Sequence, residues 1–132
     1  MIKNLLFFFS LCPLLYATEK NIIDSISENK RLQKLNEFIT TANLSSDLVE
    51  YENLTLFAPL DDAFAALSAK TYYGYLKQEN RGKLESLVNF HFVEGVYTSE
   101  SIDDVVMKKS VDSNDLEIKK INGILYVNGA EV

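Results

Sequence analysis

The residues of this chain that could perform chemistry are few and scattered. His91 is the only histidine, and it follows Phe90 at the end of a predicted helix. A lone histidine cannot form a catalytic triad or a histidine-based zinc site, because both need several converging groups. It can instead contact a partner from the surface, or hold the following loop through a side-chain hydrogen bond. The sequence leaves both roles open.

The adjacent carboxylates Asp61 and Asp62 could form half of a metal site or of an acid–base pair. They stand at a predicted helix start, however, where carboxylates accept hydrogen bonds from the free amides of the first turn and offset the helix dipole. The remaining acidic residues are dispersed and lack the glycine-bearing loop of a calcium site. We therefore predict no catalytic residues, no metal ligands and no cofactor.

A cluster of three tyrosines, Tyr72, Tyr73 and Tyr75, lies in a helix-prone stretch that is interrupted by a glycine. Tyrosine rings can stack on sugar rings or on a partner surface, and they can equally cover the edge of a hydrophobic core. Together with Phe90 and His91, these tyrosines are the candidate interaction residues of the chain.

The composition limits the classes of partner. The formal net charge is −6, which disfavours nucleic acids and anionic lipids, since both are bound through Lys and Arg. A length of 132 residues is enough for one small domain. The single cysteine, Cys12, lies in the N-terminal segment, so the remaining chain has no means of forming a disulfide.

The N-terminus has the parts of a secretory signal peptide. Lys3 is followed by an uncharged run from Leu5 to Leu15, and Ala17 precedes a polar stretch. The run is shorter than the roughly 20 apolar residues of a membrane span. We predict a signal peptide over 1–17, a secreted or periplasmic mature chain over 18–132, and no membrane insertion after cleavage.

Hydrophobic spacing predicts the elements that must position these side chains. Residues 21–29 and 31–42 have apolar positions at helical spacing. Residues 54–58 are typical of an interior strand, which Pro59 must end. Asn80 is a plausible cap for a helix over 81–89. From Leu116 onward the pattern changes to period two, and Asn122-Gly123 is a strong hairpin signal. Helices followed by strands indicate an α+β domain.

Several blocks together resemble the fasciclin domain. Residues 55–67, Thr-Leu-Phe-Ala-Pro-Leu-Asp-Asp-Ala-Phe-Ala-Ala-Leu, are similar to the first conserved block of that family. Residues 87–102 resemble its stretch with a Tyr-His pair, with Phe90 where tyrosine is usual. Residues 121–132 are similar to its late hairpin, and 21–26 and 32–44 to its opening helices. The resemblance extends over nearly all of residues 21–132.

The resemblance implies a fasciclin-like, wedge-shaped β-sandwich with several short helices packed at one side. It also implies an exported adhesion or interaction module, not an enzyme, that binds a protein or a polysaccharide. In animal members the Tyr-His position has been linked to cell-receptor binding. Two alternatives are a remnant without independent function and an exported hydrolase, in which His91 would meet acidic residues in a cleft.

The chain departs from the family at its end. Fasciclin domains usually continue past the equivalent of Val132 through a second conserved block that closes the sheet, so 18–132 is expected to be a single domain lacking that block. An open sheet edge would favour self-association with a second molecule. Asn43-Leu-Ser45 and Asn53-Leu-Thr55 match the glycosylation acceptor pattern, and the sequence does not decide whether either is used.

Overall fold

The computed structural model describes residues 20–132. The predicted signal peptide over 1–17 and Cys12 lie outside these residues. The α-helices are α1 Ile22–Glu28, α2 Gln33–Ala42, α3 Ser45–Val49, α4 Ala69–Tyr75 and α5 Arg81–Asn89. The strands are β1 Leu54–Leu56, β2 Phe92–Glu94, β3 Val105–Lys109, β4 Asp115–Ile121, β5 Ile124–Val127 and β6 Ala130–Glu131. Short 3-10 helices cover Asp61–Ala66, Gln78–Asn80 and Ser99–Ser101.

The strands form two antiparallel sheets. β1 pairs with β2, and β3 to β6 form a four-stranded meander in sequence order. A single antiparallel bridge between Val93 and Ser110 joins β2 to the segment that follows β3. The helices precede most of the strands in the chain, and the predicted α+β class is confirmed.

The helices and β2 enclose the hydrophobic core. α2 is its centre, because its apolar positions recur at helical spacing and all become buried: Leu35, Phe38, Ile39 and Ala42. α5 packs along α2 and contributes Leu84 and Val88. Phe92 on β2 is fully buried and belongs to the same cluster. The predicted helices over 21–29, 31–42 and 81–89 are thereby confirmed, with their ends shifted by at most two residues at each end.

The start of α2 is capped from a distant part of the chain. Leu32 occupies the N-cap position and its side chain makes no cap hydrogen bond. The Asp61 carboxylate instead accepts from the Lys34 amide at 2.8 Å, and the Asp61 amide donates to the Arg31 carbonyl at 2.8 Å. The prediction that the aspartates cap their own turn is therefore wrong, since no side chain caps the 3-10 helix at 61–66. Asp61 fixes that helix onto α2.

β1 differs from the predicted interior strand. It is paired only with β2, and all three of its residues are half-buried. The amide of Phe57 donates to the His91 carbonyl and that of Gly95 to the Asn53 carbonyl. Because backbone groups alternate in direction along a strand, the amides of Leu54 and Leu56 point away from β2. In the described part of the chain, this outer edge of β1 has no paired strand.

The late hairpins follow the sequence signals. Asn122 and Gly123 have φ of 52° and 81°, the positive values that a two-residue hairpin turn requires. The predicted period-two pattern is also confirmed, because Leu116 and Ile118 are both buried on one face of β4. α4 runs through Gly74 without interruption, in contrast to the predicted break, since a helix tolerates glycine at a modest cost.

Candidate functional site

The three tyrosines of α4 divide into two that cover the core and one that is exposed. The Tyr72 and Tyr75 rings lie 5.1 Å and 5.9 Å from the Phe38 ring, centroid to centroid. Positions three apart on a helix share a face, so these two point inward together. Tyr73, by contrast, is 64% exposed. It contacts Tyr72 edge to face at 5.3 Å.

Tyr72 is held in place by polar groups of α2. Its hydroxyl donates a hydrogen bond to the Glu37 carboxylate, and the Lys34 ammonium lies 5.2 Å from its ring centroid. Burial raises the pKa of Tyr72 well above its usual range, and the Glu37 hydrogen bond and charge raise it further. The ring is therefore a neutral phenol that acts as a fixed support for Tyr73.

A shallow cleft of about 480 Å³ lies between α2 and the start of α4. We call it the tyrosine shelf. Its lining consists of Gln33, Lys34, Glu37, Phe64, Ala65, Leu67, Ala69, Tyr72 and Tyr73. Aromatic carbon forms one part of the surface, and an amide, an ammonium and a carboxylate form the other. This combination of groups is suited to a ligand that has both an apolar face and hydrogen-bonding groups.

Phe90 and His91 lie at the end of α5, where the chain enters β2. Their rings are 6.1 Å apart and nearly perpendicular. His91 Nδ1 lies 2.8 Å from the Leu87 carbonyl oxygen, and a carbonyl can only accept, so Nδ1 carries the proton. Burial lowers the pKa of His91, and the hydrogen bond to Leu87 opposes this shift in part. The imidazole is neutral near pH 7.

An apolar groove of about 680 Å³ opens beside Phe90 and His91. One wall is the segment after β1, and the other is formed by β6 and its flanks. The lining residues are Phe57, Ala58, Pro59, Leu60, Asp62, Ala63, Phe90, His91, Leu116, Val127, Asn128, Ala130, Glu131 and Val132. We call this the β1–β6 groove. Its charged lining residues are both acidic, namely Asp62 and Glu131.

The structure brings the predicted candidates together only in part. His91 and Tyr75 both line a smaller cavity of about 180 Å³ that also contacts Phe38. Tyr73 lines the tyrosine shelf and Phe90 lines the β1–β6 groove, and neither cavity includes the other residue. The five candidates therefore do not form one site. Tyr72 lies with Tyr73 on the tyrosine shelf, whereas Tyr75 lines neither the shelf nor the groove.

The sequence pattern did not reveal the α2 residues that complete the tyrosine shelf. Gln33, Lys34 and Glu37 are exposed polar positions of an amphipathic helix, which typically mark only a solvated face. Their relation to Tyr73 depends on how α4 packs against α2, and no local pattern encodes that contact. The opposite wall of the groove, formed by β6, likewise required the tertiary structure.

The described residues contain little that could support catalysis. Within residues 20–132, no three His, Asp or Glu side chains cluster closely enough to hold a metal ion. Asp61 is engaged by the Lys34 amide, and His91 by the Leu87 carbonyl. Over the same residues, no helix is long and apolar enough to cross a membrane.

The chain is similar to several known proteins. It is 32% identical over 111 residues to protein sll1483 of Synechocystis, an alignment that covers 84% of this chain and 61% of that protein. It is 23% identical over 112 residues to human periostin, covering 83% of this chain and 13% of periostin. It is 26% identical over 120 residues to the pig transforming growth factor-beta-induced protein ig-h3, covering 91% of this chain and 17% of that protein.

The chain thus spans about three fifths of the cyanobacterial relative and under a fifth of each animal protein. The model of the fasciclin domain matches residues 30–132. That match includes α2, the 3-10 helix at 61–66, α5 and all the described strands. The chain therefore belongs to the fasciclin domain family.

Proposed function

We propose that this protein is an exported, non-enzymatic interaction module that binds a protein or polysaccharide partner through its surface. Membership of the fasciclin family supports this proposal, as does similarity to periostin and to the ig-h3 protein. The observation on which it chiefly rests is the β1–β6 groove, with an apolar lining open to solvent.

The side chains of the groove favour binding over turnover. Phe57, Pro59 and Leu60 form an apolar wall whose residues are half-buried. A contiguous apolar patch that stays exposed on a small domain marks an interaction site or a ligand-binding groove. His91, the imidazole of this lining, is held by the hydrogen bond from its Nδ1 to the Leu87 carbonyl. No described nucleophile lies within hydrogen-bond reach of its ring.

The backbone of β1 supports a polypeptide as the occupant of this groove. The outward amides of Leu54 and Leu56 can pair with a further extended strand, and the chain runs from β1 directly into the groove wall at Phe57. A second copy of this chain is one source of such a strand, so self-association through the β1 edge belongs to the same proposal. The acidic groups Asp62 and Glu131 favour a strand with basic flanking residues.

Export is the second part of the proposal. The uncharged run from Leu5 to Leu15 supports a cleaved leader over 1–17, and this is tested by expressing the full chain in a host with a secretory pathway. Mass spectrometry of the extracytoplasmic protein should give an N-terminus at Thr18. A chain that stays in the cytoplasm and retains Met1 would contradict the proposed export.

The binding part is tested with Phe57→Glu, which places a charge in the groove wall outside the core cluster. The matched control is Val105→Glu, because Val105 is 54% exposed and lies away from the groove. Each exported protein is applied to arrays of purified extracellular proteins and of oligosaccharides. We expect Phe57→Glu to bind the captured partner more weakly than the wild type by about tenfold or more, and the control variant to bind it with unchanged affinity.

Circular dichroism must give the same folded spectrum for both variants. Equal binding by Phe57→Glu and the wild type would overturn the groove as the binding surface. Sedimentation equilibrium of the wild type over a concentration series tests self-association through the β1 edge. A strictly monomeric protein at every concentration would exclude a second copy as the occupant.

A further inference from the structure

Tyr73 is an exposed aromatic ring with a fixed neighbour. It is 64% exposed. The ring centroid of its neighbour Tyr72 lies 5.1 Å from that of Phe38 and 6.0 Å from that of Phe64. The Tyr72 and Tyr73 rings stand 87° apart. Because Tyr72 is fixed by core packing and by Glu37, the side of Tyr73 that it contacts has a fixed support. The Tyr73 side chain should therefore lose little conformational entropy when a ligand binds to its ring.

The polar groups of the tyrosine shelf have hydrogen-bonding capacity left. Gln33 Nε2 donates to the carbonyls of Ser27 and Asn29 at 3.3 Å and 2.7 Å, so its amide oxygen is available as an acceptor. Glu37 accepts from Tyr72 through Oε2, which leaves Oε1 as an acceptor. Lys34 makes no ion pair among the described residues, and its ammonium can donate up to three hydrogen bonds.

The charges of the shelf cancel locally. Lys34 and Glu37 stand about one helical turn apart and are the charged residues of its lining. A strongly charged ligand would meet one repulsive group for each attractive one, so the shelf favours a neutral ligand with several hydroxyls. A pyranose ring has this chemistry, since its axial C–H groups form an apolar face and its hydroxyls both donate and accept. A cleft of about 480 Å³ is of the size of small-ligand sites.

We propose that the tyrosine shelf binds a neutral hexopyranose unit of a polysaccharide. The C–H face of the sugar packs on Tyr73, and its hydroxyls bond to Lys34 and Glu37, with the amide oxygen of Gln33 as a further acceptor. This surface is separate from the β1–β6 groove. The proposal rests on the proposed function only in treating the chain as an exported binding module, and it adds the class of ligand.

The experiment uses the exported protein and four neutral probes: the hexasaccharides of β-1,4-glucose, β-1,4-xylose, β-1,4-mannose and β-1,4-N-acetylglucosamine. Saturation-transfer NMR and titration calorimetry measure binding. We expect a hexose-based probe to bind, Tyr73→Ala to weaken it by about tenfold, and Tyr73→Phe to retain it. Tyr51→Ala is the matched control, because Tyr51 is a half-buried tyrosine outside the shelf lining.

The remaining outcomes decide against the shelf in distinguishable ways. Binding that is unchanged in Tyr73→Ala but lost in Phe57→Glu would place the sugar in the groove, which overturns this inference and supports the proposed function. Failure of all four probes at millimolar concentration also overturns it, and the groove experiment then tests the proposed function separately. Capture of a protein partner that depends on Tyr73, with no sugar bound, would assign the shelf to polypeptide instead.

Discussion

His91, two residues after the end of α5, is hydrogen-bonded to Leu87 in the last turn of that helix, with His91 Nδ1 2.8 Å from the Leu87 carbonyl oxygen. This bond satisfies a carbonyl of the last helical turn, which has no partner within the helix. It also assigns the proton to Nδ1, and the same histidine lines both the β1–β6 groove and the small cavity that contains Tyr75. The histidine therefore links the end of α5 to the candidate binding surface.

The His91 environment predicts a specific dependence of stability on pH. Burial lowers the pKa of His91 from its ordinary value of 6.5, so the unfolded chain binds a proton more readily than the folded one. The contribution of neutral His91 to the free energy of unfolding is then fully present above pH 6.5. It is lost as the pH falls through 6.5 toward the pKa of the folded state. Urea unfolding at intervals from pH 8 to pH 5 measures this loss.

His91→Gln is the control for that series. It keeps a side-chain amide near the Leu87 carbonyl and does not titrate, and the chain has no other histidine. Below pH 6.5, we expect the unfolding free energy of the wild type to fall relative to that of His91→Gln. A difference that is constant from pH 8 to pH 5 would show that the folded and unfolded pKa values of His91 are equal.

Substitution of the two adjacent aspartates should change stability by unequal amounts. Asp61→Ala removes the acceptor for the Lys34 amide and should lower the unfolding free energy by about 1 kcal/mol, the usual worth of a helix cap. Asp62 is exposed, so Asp62→Ala should change stability by less than about 0.5 kcal/mol. Chemical denaturation of both variants measures this contrast. Equal losses of unfolding free energy would contradict the role of Asp61 as the cap of α2.

The Thr55 hydroxyl joins the middle of β1 to the segment that follows β2. Its Oγ1 donates to the Gly95 carbonyl at 2.7 Å and accepts from the Tyr97 amide at 3.0 Å. Thr55→Val keeps the shape and loses both bonds, so we expect a destabilisation of about 1–3 kcal/mol. Thr55→Ser keeps the hydroxyl and should retain most of the stability in the same urea titration. A valine variant as stable as the serine variant would contradict this account.

Two glycines provide a test of backbone conformation alone. A methyl group added at Gly74 or at Gly123 meets no atom within 4 Å. Gly74 lies inside α4, so Gly74→Ala should stabilise the protein by about 0.5–1 kcal/mol. Gly123 has φ of 81°, so Gly123→Ala should destabilise it by about 1 kcal/mol. Thermal melting of the two variants should give shifts of opposite sign.

Much of the fold was predictable from local sequence. The helical spacing of apolar residues in α2 and α5, the Asn122-Gly123 turn and the alternation in β4 each depend on neighbours in the chain. The position of β1 was not predictable from the same information. Its apolar composition is typical of an interior strand, but whether a strand becomes interior depends on which segments pair with it.

Residue type and spacing are local properties, and they were enough to identify the candidate residues Tyr72, Tyr73, Tyr75, Phe90 and His91. The tertiary structure alone distributes them over three cavities, leaves Tyr73 as the largely exposed tyrosine of the three, and brings Lys34 and Glu37 beside it. Exposure and proximity depend on how α4 packs on α2 and on how β6 faces the segment after β1. Those contacts join residues far apart in the chain, and no local pattern specifies them.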